Sequence, residues 1–334
     1  MRTRSLASGS SAVRLLVSLV LLALAATIFW FRQPLYDQFT VWYHQPSPEA
    51  AALADRAELT GRGKFLFYAS RPELLNRDSF NDACRSLTTE QTAVLGCYSA
   101  MRIYLFDISD RRLEGIKEVT AAHEMLHAVY ERLSKADKAR VDALLERQEL
   151  GDDEERIAEL MAQYEKTEPG QRHNELHSII GTEVATLSPE LEAYYAPYFA
   201  DRSALVAKAD SYQGVFAQLK SQQQDLVDEL NELADQIDQR GSTYRRELEV
   251  LGADIESFNG RAGQGSMTRS EYESERAELE RRQARLSREY DALNDLISSY
   301  EAKRSELAAI NSQSDALNRS INSSLKPATE SIDG

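Results

Sequence analysis

The chain has 334 residues, of which 42% are hydrophobic and 28% charged, with only 15 Gly, 8 Pro and 2 Cys. This composition excludes a collagen-like fibre, a disulfide-dense miniprotein and a wholly disordered chain, and the length favours more than one structural unit. The net charge of −15 argues against nucleic acid as a partner, because an acidic surface repels phosphate backbones.

The first predicted element is an apolar segment near the amino terminus. Residues 15–31 carry no charge, and residues 12–31 are long enough for a helix to cross a membrane. We therefore predict a transmembrane anchor at 12–31, preceded by a basic segment at 1–11. A cleaved signal peptide is the alternative, because three alanines in this segment offer cleavage sites. The aromatic end of the segment around Trp30 favours the anchor, since such side chains suit the headgroup layer.

The charges around the apolar segment predict its orientation. Three arginines precede residue 15 and one follows the segment, after which the chain becomes acidic. The positive-inside rule then places the amino terminus in the cytoplasm and everything after residue 32 outside it. We predict a single-pass protein of the cell membrane with an extracytoplasmic body.

Cys84 and Cys97 are the only cysteines in the sequence. An oxidising compartment outside the cytoplasm would allow them to form a disulfide bond, which we favour over two buried free thiols. Because they do not form a CxxC pair, they are poor candidates for zinc ligands.

The segment after the anchor is predicted to contain a linker with a short helix, residues 32–62, and then a domain at 63–202. Residues 64–69 and 93–108 are rich in aromatic and branched side chains and predict three short strands, the second stretch being interrupted in its middle. From residue 114 onward the pattern is helical. The predicted fold class of this domain is mainly α with a small β-sheet.

The carboxyl-terminal third predicts two long helices. Apolar residues recur in steps of three and four over 205–258 and over 269–322, which predicts two coiled-coil seams of equal length. Three glycines in the intervening residues 259–268 predict a tip loop, so that 203–322 would fold as an antiparallel coiled-coil hairpin. The tail, 323–334, has too few apolar residues to pack and is predicted to be disordered.

One segment combines residues with the spacing of a metal site. Residues 120–129 read TAAHEMLHAV, so that His123 and His127 lie four apart on one face of a predicted helix and both imidazoles can reach one ion. Glu124 lies beside the first histidine and is placed to take a proton from an attacking water. The alternative is a helix whose histidines only make hydrogen bonds in the core or face solvent.

This segment resembles the active-site helix of the zincin metallopeptidases. Their extended motif has Val or Thr three positions before the first His, uncharged residues around the pair and a hydrophobic residue at its end, which Thr120 and Val129 match here. The resemblance implies a zincin-like domain, a Zn²⁺ cofactor and hydrolysis of peptide bonds. The residues after His127 do not continue to a third histidine in the metzincin pattern, so that branch is excluded.

A catalytic zinc site needs a third protein ligand, and the stretch 172–183 supplies the candidates. Its Asn174 and Glu175 are similar to the Asn-Glu pair of the gluzincins, whose Glu completes the site from a separate helix. We therefore favour Glu175, with Glu183 and His177 as alternatives. Several gluzincins place an acid four residues after the ligand to orient a histidine, but this chain has Ile179 there, so the orienting role stays unassigned, with Glu183 as a candidate.

A zinc peptidase also needs a donor that stabilises the oxyanion of the transition state. Four candidates lie near the third-ligand stretch in the sequence: His173, His177, Tyr194 and Tyr195. The two tyrosines belong to an aromatic block whose commoner role is packing, so no single donor is chosen.

The function predicted from these features is a membrane-anchored, extracytoplasmic zinc metallopeptidase acting on a peptide or protein substrate. The alternative is a non-enzymatic envelope scaffold or tether whose coiled-coil hairpin binds a partner. Glu124 favours the hydrolase, because a structural zinc site has no need of a neighbouring base. The hairpin itself is either a spacer or self-association strut, or a surface that recognises a substrate or protein partner.

Overall fold

The computed structural model describes residues 9–84, 95–167 and 169–322, and the predicted tail at 323–334 lies outside them. Over these residues the protein is mainly helical with a small three-stranded sheet, which confirms the prediction of a mainly α fold with a small β-sheet. In chain order the elements are α1 Gly9–Trp30, α2 Arg32–Tyr43, α3 Pro48–Arg56, α4 Gly61–Ala69, β1 Glu73–Leu75, α5 Arg77–Cys84, β2 Gly96–Ser99, β3 Arg102–Phe106, α6 Ile116–Arg132, α7 Lys135–Leu145, α8 Glu154–Thr167, α9 Arg172–Glu183, α10 Pro189–Tyr195, α11 Arg202–Gly263 and α12 Arg269–Ile321.

The first helix is the predicted apolar one. Within α1, the window Val13–Trp30 is long and apolar enough to cross a membrane, and none of it is buried inside the protein. Length and composition are the basis of this assignment, and a signal sequence has the same properties.

Several helices begin with a serine cap. Three serine side chains each accept a hydrogen bond from a backbone N–H three residues ahead, which satisfies one of the unpaired donors of the first turn. The capping residues are Ser47 before α3, Ser134 before α7 and Ser188 before α10.

The sheet has the strand order β1-β3-β2, with β1 parallel and β2 antiparallel to β3. The predicted strands within 93–108 correspond to β2 and β3, but the strand predicted at 64–69 is wrong, because those residues lie in α4. Thr60 caps that helix by accepting a hydrogen bond from the Gly63 N–H, and Phe67 is fully buried in the core. A short apolar run does not distinguish a helix from a strand by periodicity, so packing decided the outcome. The third strand is the short segment β1 instead.

Helix α6 lies at the centre of the packing around the sheet. It contacts α3, α4, β2, β3 and, most extensively, α9. Leu126 of α6 and Ile179 and Ile180 of α9 are among the largest fully buried side chains. The helix that carries the predicted motif is therefore held on several sides, and its side chains have fixed directions.

The chain divides into two compact units, of which one comprises residues 216–317 and the other the remaining described residues. In the unit of residues 216–317, α11 and α12 share a buried cluster of Leu251, Phe258, Leu279 and Leu286. Ion pairs join Arg240 to Glu289 and Arg282 to Asp254 across the two helices.

The predicted loop at 259–268 is longer than the observed one. Helix α11 continues to Gly263, so that only residues 264–268 lie between the two long helices. An exposed helical glycine costs only about 1 kcal/mol relative to alanine, which the adjoining helix tolerates. The turn is made by Gly265, whose φ of +64° suits glycine. Thr268 and Glu271 then cap α12 by reciprocal side-chain-to-backbone hydrogen bonds.

Candidate metal centre

The crossing of α6 and α9 brings three of the predicted ligands together. His123 and His127 come from α6 and Glu175 from α9, and one ligand atom of each lies within 4.8 Å of the other two. The two histidines are one helical turn apart, and their ring centroids are 4.7 Å from each other. This convergence is the arrangement that a single divalent ion needs.

The distances between the ligand atoms suit a zinc ion. The Nε2 atom of His123 lies 3.6 Å from Oε2 of Glu175, and the Nε2 atom of His127 lies 3.5 Å from Oε1. Ligands about 2.1 Å from a tetrahedral zinc ion are separated by about 3.4 Å. In addition, Oε2 of Glu175 is buried without a hydrogen bond to the described residues, and a metal ion would satisfy it.

The electrostatics of the three side chains depend on each other. Burial lowers the pKa of His123, but the close approach of the Glu175 carboxylate and the charge of Glu124 outweigh it and raise this pKa to about 9. For His127, burial and the charge of His123 outweigh the attraction of Glu175, so its pKa is lowered. Burial would raise the pKa of Glu175, but the two imidazoles and a hydrogen bond from Tyr164 lower it. A charged carboxylate is thus held between two imidazoles.

Asn174 and Ser178 orient the second histidine. The Oδ1 atom of Asn174 lies 3.0 Å from Nδ1 of His127, and the hydroxyl of Ser178 lies 3.2 Å from the same nitrogen. Because an amide oxygen only accepts hydrogen bonds, Nδ1 carries the proton and Nε2 presents its lone pair toward Glu175. These contacts fill the orienting role that the sequence left unassigned. Ser178 was missed, although it lies on the same helix three residues after Glu175.

Glu124 lies against the edge strand of the sheet. It is buried on α6, and a Cβ atom built at Gly96 of β2 would come within 2.6 Å of its Oε1 and within 2.8 Å of Thr120 Cγ2. Only glycine therefore leaves room for this carboxylate beside β2. The sequence did not reveal Gly96 as part of the site, because the approach depends on how β2 packs on α6.

A cavity of about 1020 Å³ opens beside these side chains. Its wall includes the three candidate ligands and Glu124, together with residues of β2 and of helices α6, α8 and α9. This volume is at the upper end of the range for small-molecule sites. It gives the candidate ligands access to a molecule as large as a short peptide.

The two alternative third ligands have other partners. Glu183 accepts hydrogen bonds from Arg156 at 2.7 Å and from Gln213 at 2.8 Å. His177 is buried among tyrosines, with its Nε2 atom 2.9 Å from the hydroxyl of Tyr194. Burial and the charges of the neighbouring histidines lower the pKa of His177 to about 3. Neither side chain joins the cluster of His123, His127 and Glu175, so the geometry favours Glu175 as the third ligand.

The four candidate oxyanion donors also lie away from the cavity wall. His173 is paired with Glu146 at 3.0 Å, and the hydroxyl of Tyr195 donates to the carbonyl oxygen of His177 at 2.7 Å. None of His173, His177, Tyr194 and Tyr195 is among the described residues that line the cavity. The hydrogen-bonding side chains that do line it include Tyr130, Lys138, Arg156 and Tyr164, which sequence reasoning missed. No motif marks them, because they come from three separate helices.

The two cysteines lie next to the cavity wall formed by β2. Cys84 at the end of α5 is disulfide-bonded to Cys97 in β2, with their Cα atoms 6.1 Å apart. Cys97 follows Gly96 and also lines the cavity. The bond therefore ties the strand that borders Glu124 to a neighbouring helix.

Comparisons with known proteins give this chain no family. A scan against protein-family models found no match, and neither the curated proteins nor the solved structures contained a significant one. The arguments about function therefore depend on the geometry of the site.

Proposed function

We propose that this protein is a membrane-anchored, extracytoplasmic zinc metallopeptidase of the zincin type. The observation that carries the proposal is the convergence of His123, His127 and Glu175 at the wall of a large cavity, with Glu124 beside them. A glutamate next to the first histidine distinguishes this arrangement from a purely structural zinc site, which needs ligands but no base.

The residues of the site have separate roles in this proposal. Zinc would be held by Nε2 of His123, Nε2 of His127 and the carboxylate of Glu175, and a bound ion supplies a Lewis acid that polarises a carbonyl and acidifies water. Glu124 takes the proton from the attacking water and donates it to the departing amine nitrogen. Asn174 keeps the imidazole of His127 in the tautomer that binds metal.

The sheet offers a place for an extended substrate. In the order β1-β3-β2, strand β2 is an edge strand, and its Gly96 lies against Glu124. An extended peptide adds to such an edge through backbone hydrogen bonds, which are independent of side-chain identity. We expect the substrate to be an unfolded or extended segment of a protein.

The membrane assignment depends on α1 and on the charges that flank it. The apolar window of α1 is exposed over its whole length, which suits a lipid environment and not a water-soluble surface. The excess of arginines before it supports a cytoplasmic amino terminus. The metal centre then lies outside the cytoplasm, where the disulfide bond is compatible with the redox conditions.

The two long helices favour a second candidate function, an envelope scaffold. Helices α11 and α12 have 62 and 53 residues and share a buried apolar cluster and cross-helix ion pairs, which supports an antiparallel coiled-coil hairpin. Such a hairpin serves as a strut, a self-association element or a partner-binding arm. In the peptidase proposal it positions the catalytic domain or engages the substrate.

Replacement of the proposed base separates the two functions. Full-length protein purified in detergent should contain about one zinc ion per chain, measured by elemental mass spectrometry. Glu124→Gln should retain this zinc but lose casein hydrolysis by roughly 100-fold or more, because the amide cannot accept the proton. Glu175→Gln should lose both the zinc and the activity.

Glu159→Gln is the matched control, since Glu159 is exposed at the rim of the same cavity and should tolerate the change. Unchanged hydrolysis by Glu124→Gln would refute the catalytic role of this residue. A zinc-free wild-type protein that remains folded would instead favour the scaffold.

A further inference from the structure

Helix α2, Arg32–Tyr43, has its polar and apolar sides in the reverse of the usual arrangement. Asp37 and Thr40 are each only 3% exposed, whereas Trp42 is 83% and Tyr43 is 75% exposed. Soluble helices normally turn their apolar side toward the core and their charged side toward water. The outer side of α2 therefore faces something other than bulk water.

A charged pair links the inner side of α2 to the domain, and α2 also packs on α4. Arg132, at the end of α6, donates two hydrogen bonds to the Asp37 carboxylate, at 2.9 Å and 2.8 Å. The same guanidinium donates to the hydroxyl of Tyr98 and to the carbonyl oxygen of Ala128. A two-pronged guanidinium–carboxylate pair fixes the direction of the Asp37 side chain as well as its distance from Arg132. The rotation of α2 about its own axis is therefore determined.

The outer side of α2 is a continuous aromatic and aliphatic surface. At about 100° per residue its members span an arc of about 120°, with Asp37 on the opposite side of the helix and Thr40 about 40° beyond one edge of the arc. Phe39 and Tyr43 also stack on each other, with ring centroids 5.6 Å apart. We call this the α2 outer surface, and its residues are Leu35, Tyr36, Phe39, Trp42 and Tyr43.

The α2 outer surface continues directly from the apolar helix. Only Phe31 separates α1 from α2, and the backbone N–H of Leu35 donates to the carbonyl oxygen of Phe31 at 3.0 Å across the junction. The guanidinium of Arg32 lies 5.2 Å from the ring of Phe29 at the same place. Tryptophan and tyrosine next to an apolar span are typical of the headgroup layer of a membrane.

We infer that α2 lies in the headgroup layer of the bilayer that α1 enters, with the α2 outer surface in contact with lipid. The Asp37–Arg132 pair then holds the folded domain against the membrane surface instead of leaving it on a flexible tether. This inference depends on the proposed anchor, because cleavage of α1 would leave α2 without an attachment to the bilayer. A bilayer is favoured over a second copy of the chain because the surface is continuous with an apolar helix that itself needs lipid.

The two tryptophans of the chain, Trp30 and Trp42, allow a direct test. Full-length protein is reconstituted into phosphatidylcholine vesicles that contain lipids brominated either near the headgroup or near the chain end. In Trp30→Phe the remaining Trp42 reports on α2, and in Trp42→Phe the remaining Trp30 reports on α1. Both changes replace one exposed aromatic residue by another and should leave the fold intact.

The inference requires three results for Trp42. Its emission should be quenched more by bromines near the headgroup than by bromines near the chain end. The emission maximum should also shift to shorter wavelength on reconstitution. Finally, iodide in the aqueous phase should quench Trp42 little. If Trp30 is quenched by lipid while Trp42 stays accessible to iodide, the inference is overturned and the anchor stands.

Two further outcomes also count against the inference. Protection of Trp42 from iodide without quenching by either lipid would identify a second copy of the chain as the occupant of the surface. If neither tryptophan is quenched, the anchor proposal itself fails. A folding control is the near-UV circular dichroism of each variant in detergent, compared with that of the wild type.

Discussion

Gly96 shows how much of the site depends on one missing side chain. It belongs to the edge strand β2, and the carboxylate of Glu124 occupies the space that a Cβ atom would fill. The nearest atoms that a methyl group there would meet belong to Glu124 and Thr120. The methyl group would displace Glu124, whose side chain is the flexible partner in the contact.

Gly96→Ala should therefore lower casein hydrolysis by roughly 100-fold, the cost of misplacing a catalytic group by about 1 Å. The zinc content should stay close to one ion per chain. Kinetics at saturating substrate and elemental analysis measure the two quantities. The matched control is Gly61→Ala, because nothing lies within 4 Å of a Cβ atom built at Gly61. Full activity in Gly96→Ala would show that Glu124 does not need its present position.

Residue-level prediction was successful where a role depends on local spacing. His123 and His127 lie on one helical face because they are four residues apart, and any helix would place them so. The choice among Glu175, Glu183 and His177 could not be made in this way, since all three lie on α9. It depends on the angle at which α9 crosses α6, which buries Glu175 beside the imidazoles and pairs Glu183 with Arg156.

At the scale of elements, the two long helices are held by a few buried side chains among many exposed ones. Leu286 of α12 is 5% exposed and belongs to the apolar cluster shared with α11, whereas Leu248 of α11 is 48% exposed. Most ion pairs on these helices involve exposed side chains, and such pairs contribute about 0–1 kcal/mol each. The stability of this unit therefore depends mainly on its seam.

Leu286→Ala should lower the free energy of unfolding of this unit by about 2–5 kcal/mol, because it removes buried methyl groups and leaves a cavity. Leu248→Ala should change it by less than about 0.5 kcal/mol, since a surface substitution creates no cavity. Urea unfolding of the full-length protein in detergent, followed by circular dichroism, measures both. Equal effects of the two substitutions would contradict packing along this seam.

The errors at the element scale have a common physical cause. Residues 64–69 were predicted as a strand and form part of α4, and residues 259–263 were predicted as loop and form the end of α11. In both places the residues' own conformational preference is weak, so capping, burial and the adjoining helix decide the conformation. The cap at Thr60 and the fully buried Phe67 stabilise α4, while continuity with a long helix carries α11 through Gly260 to Gly263.

At the scale of the whole molecule, the proposal requires that α1 stays attached. The chain has a mass of 37.6 kDa, and removal of a signal peptide would make the mature protein smaller by the mass of the removed segment. An uncleaved apolar helix also holds a protein in the bilayer through washes that release peripheral proteins.

We therefore expect the expressed protein to remain in the membrane pellet after extraction with alkaline carbonate, and its intact mass to equal that of the full chain. Protease added to the extracytoplasmic side should digest everything after α1. The control is the same chain without residues 1–31, which should leave the pellet or bind it only peripherally. A shortened, carbonate-soluble product of the complete gene would show that α1 is a signal peptide.

The sequence alone determined the features that depend on neighbours along the chain. The apolar helix at the amino terminus, the placement of His123 and His127 on one helical face and the two long helices follow from composition and hydrophobic periodicity, which act locally. Only the tertiary structure decided which acid meets the histidines, where Glu124 fits beside Gly96 and why Asp37 of α2 is buried against Arg132. These features depend on contacts between segments far apart in the chain, and such contacts are set by packing of the whole core.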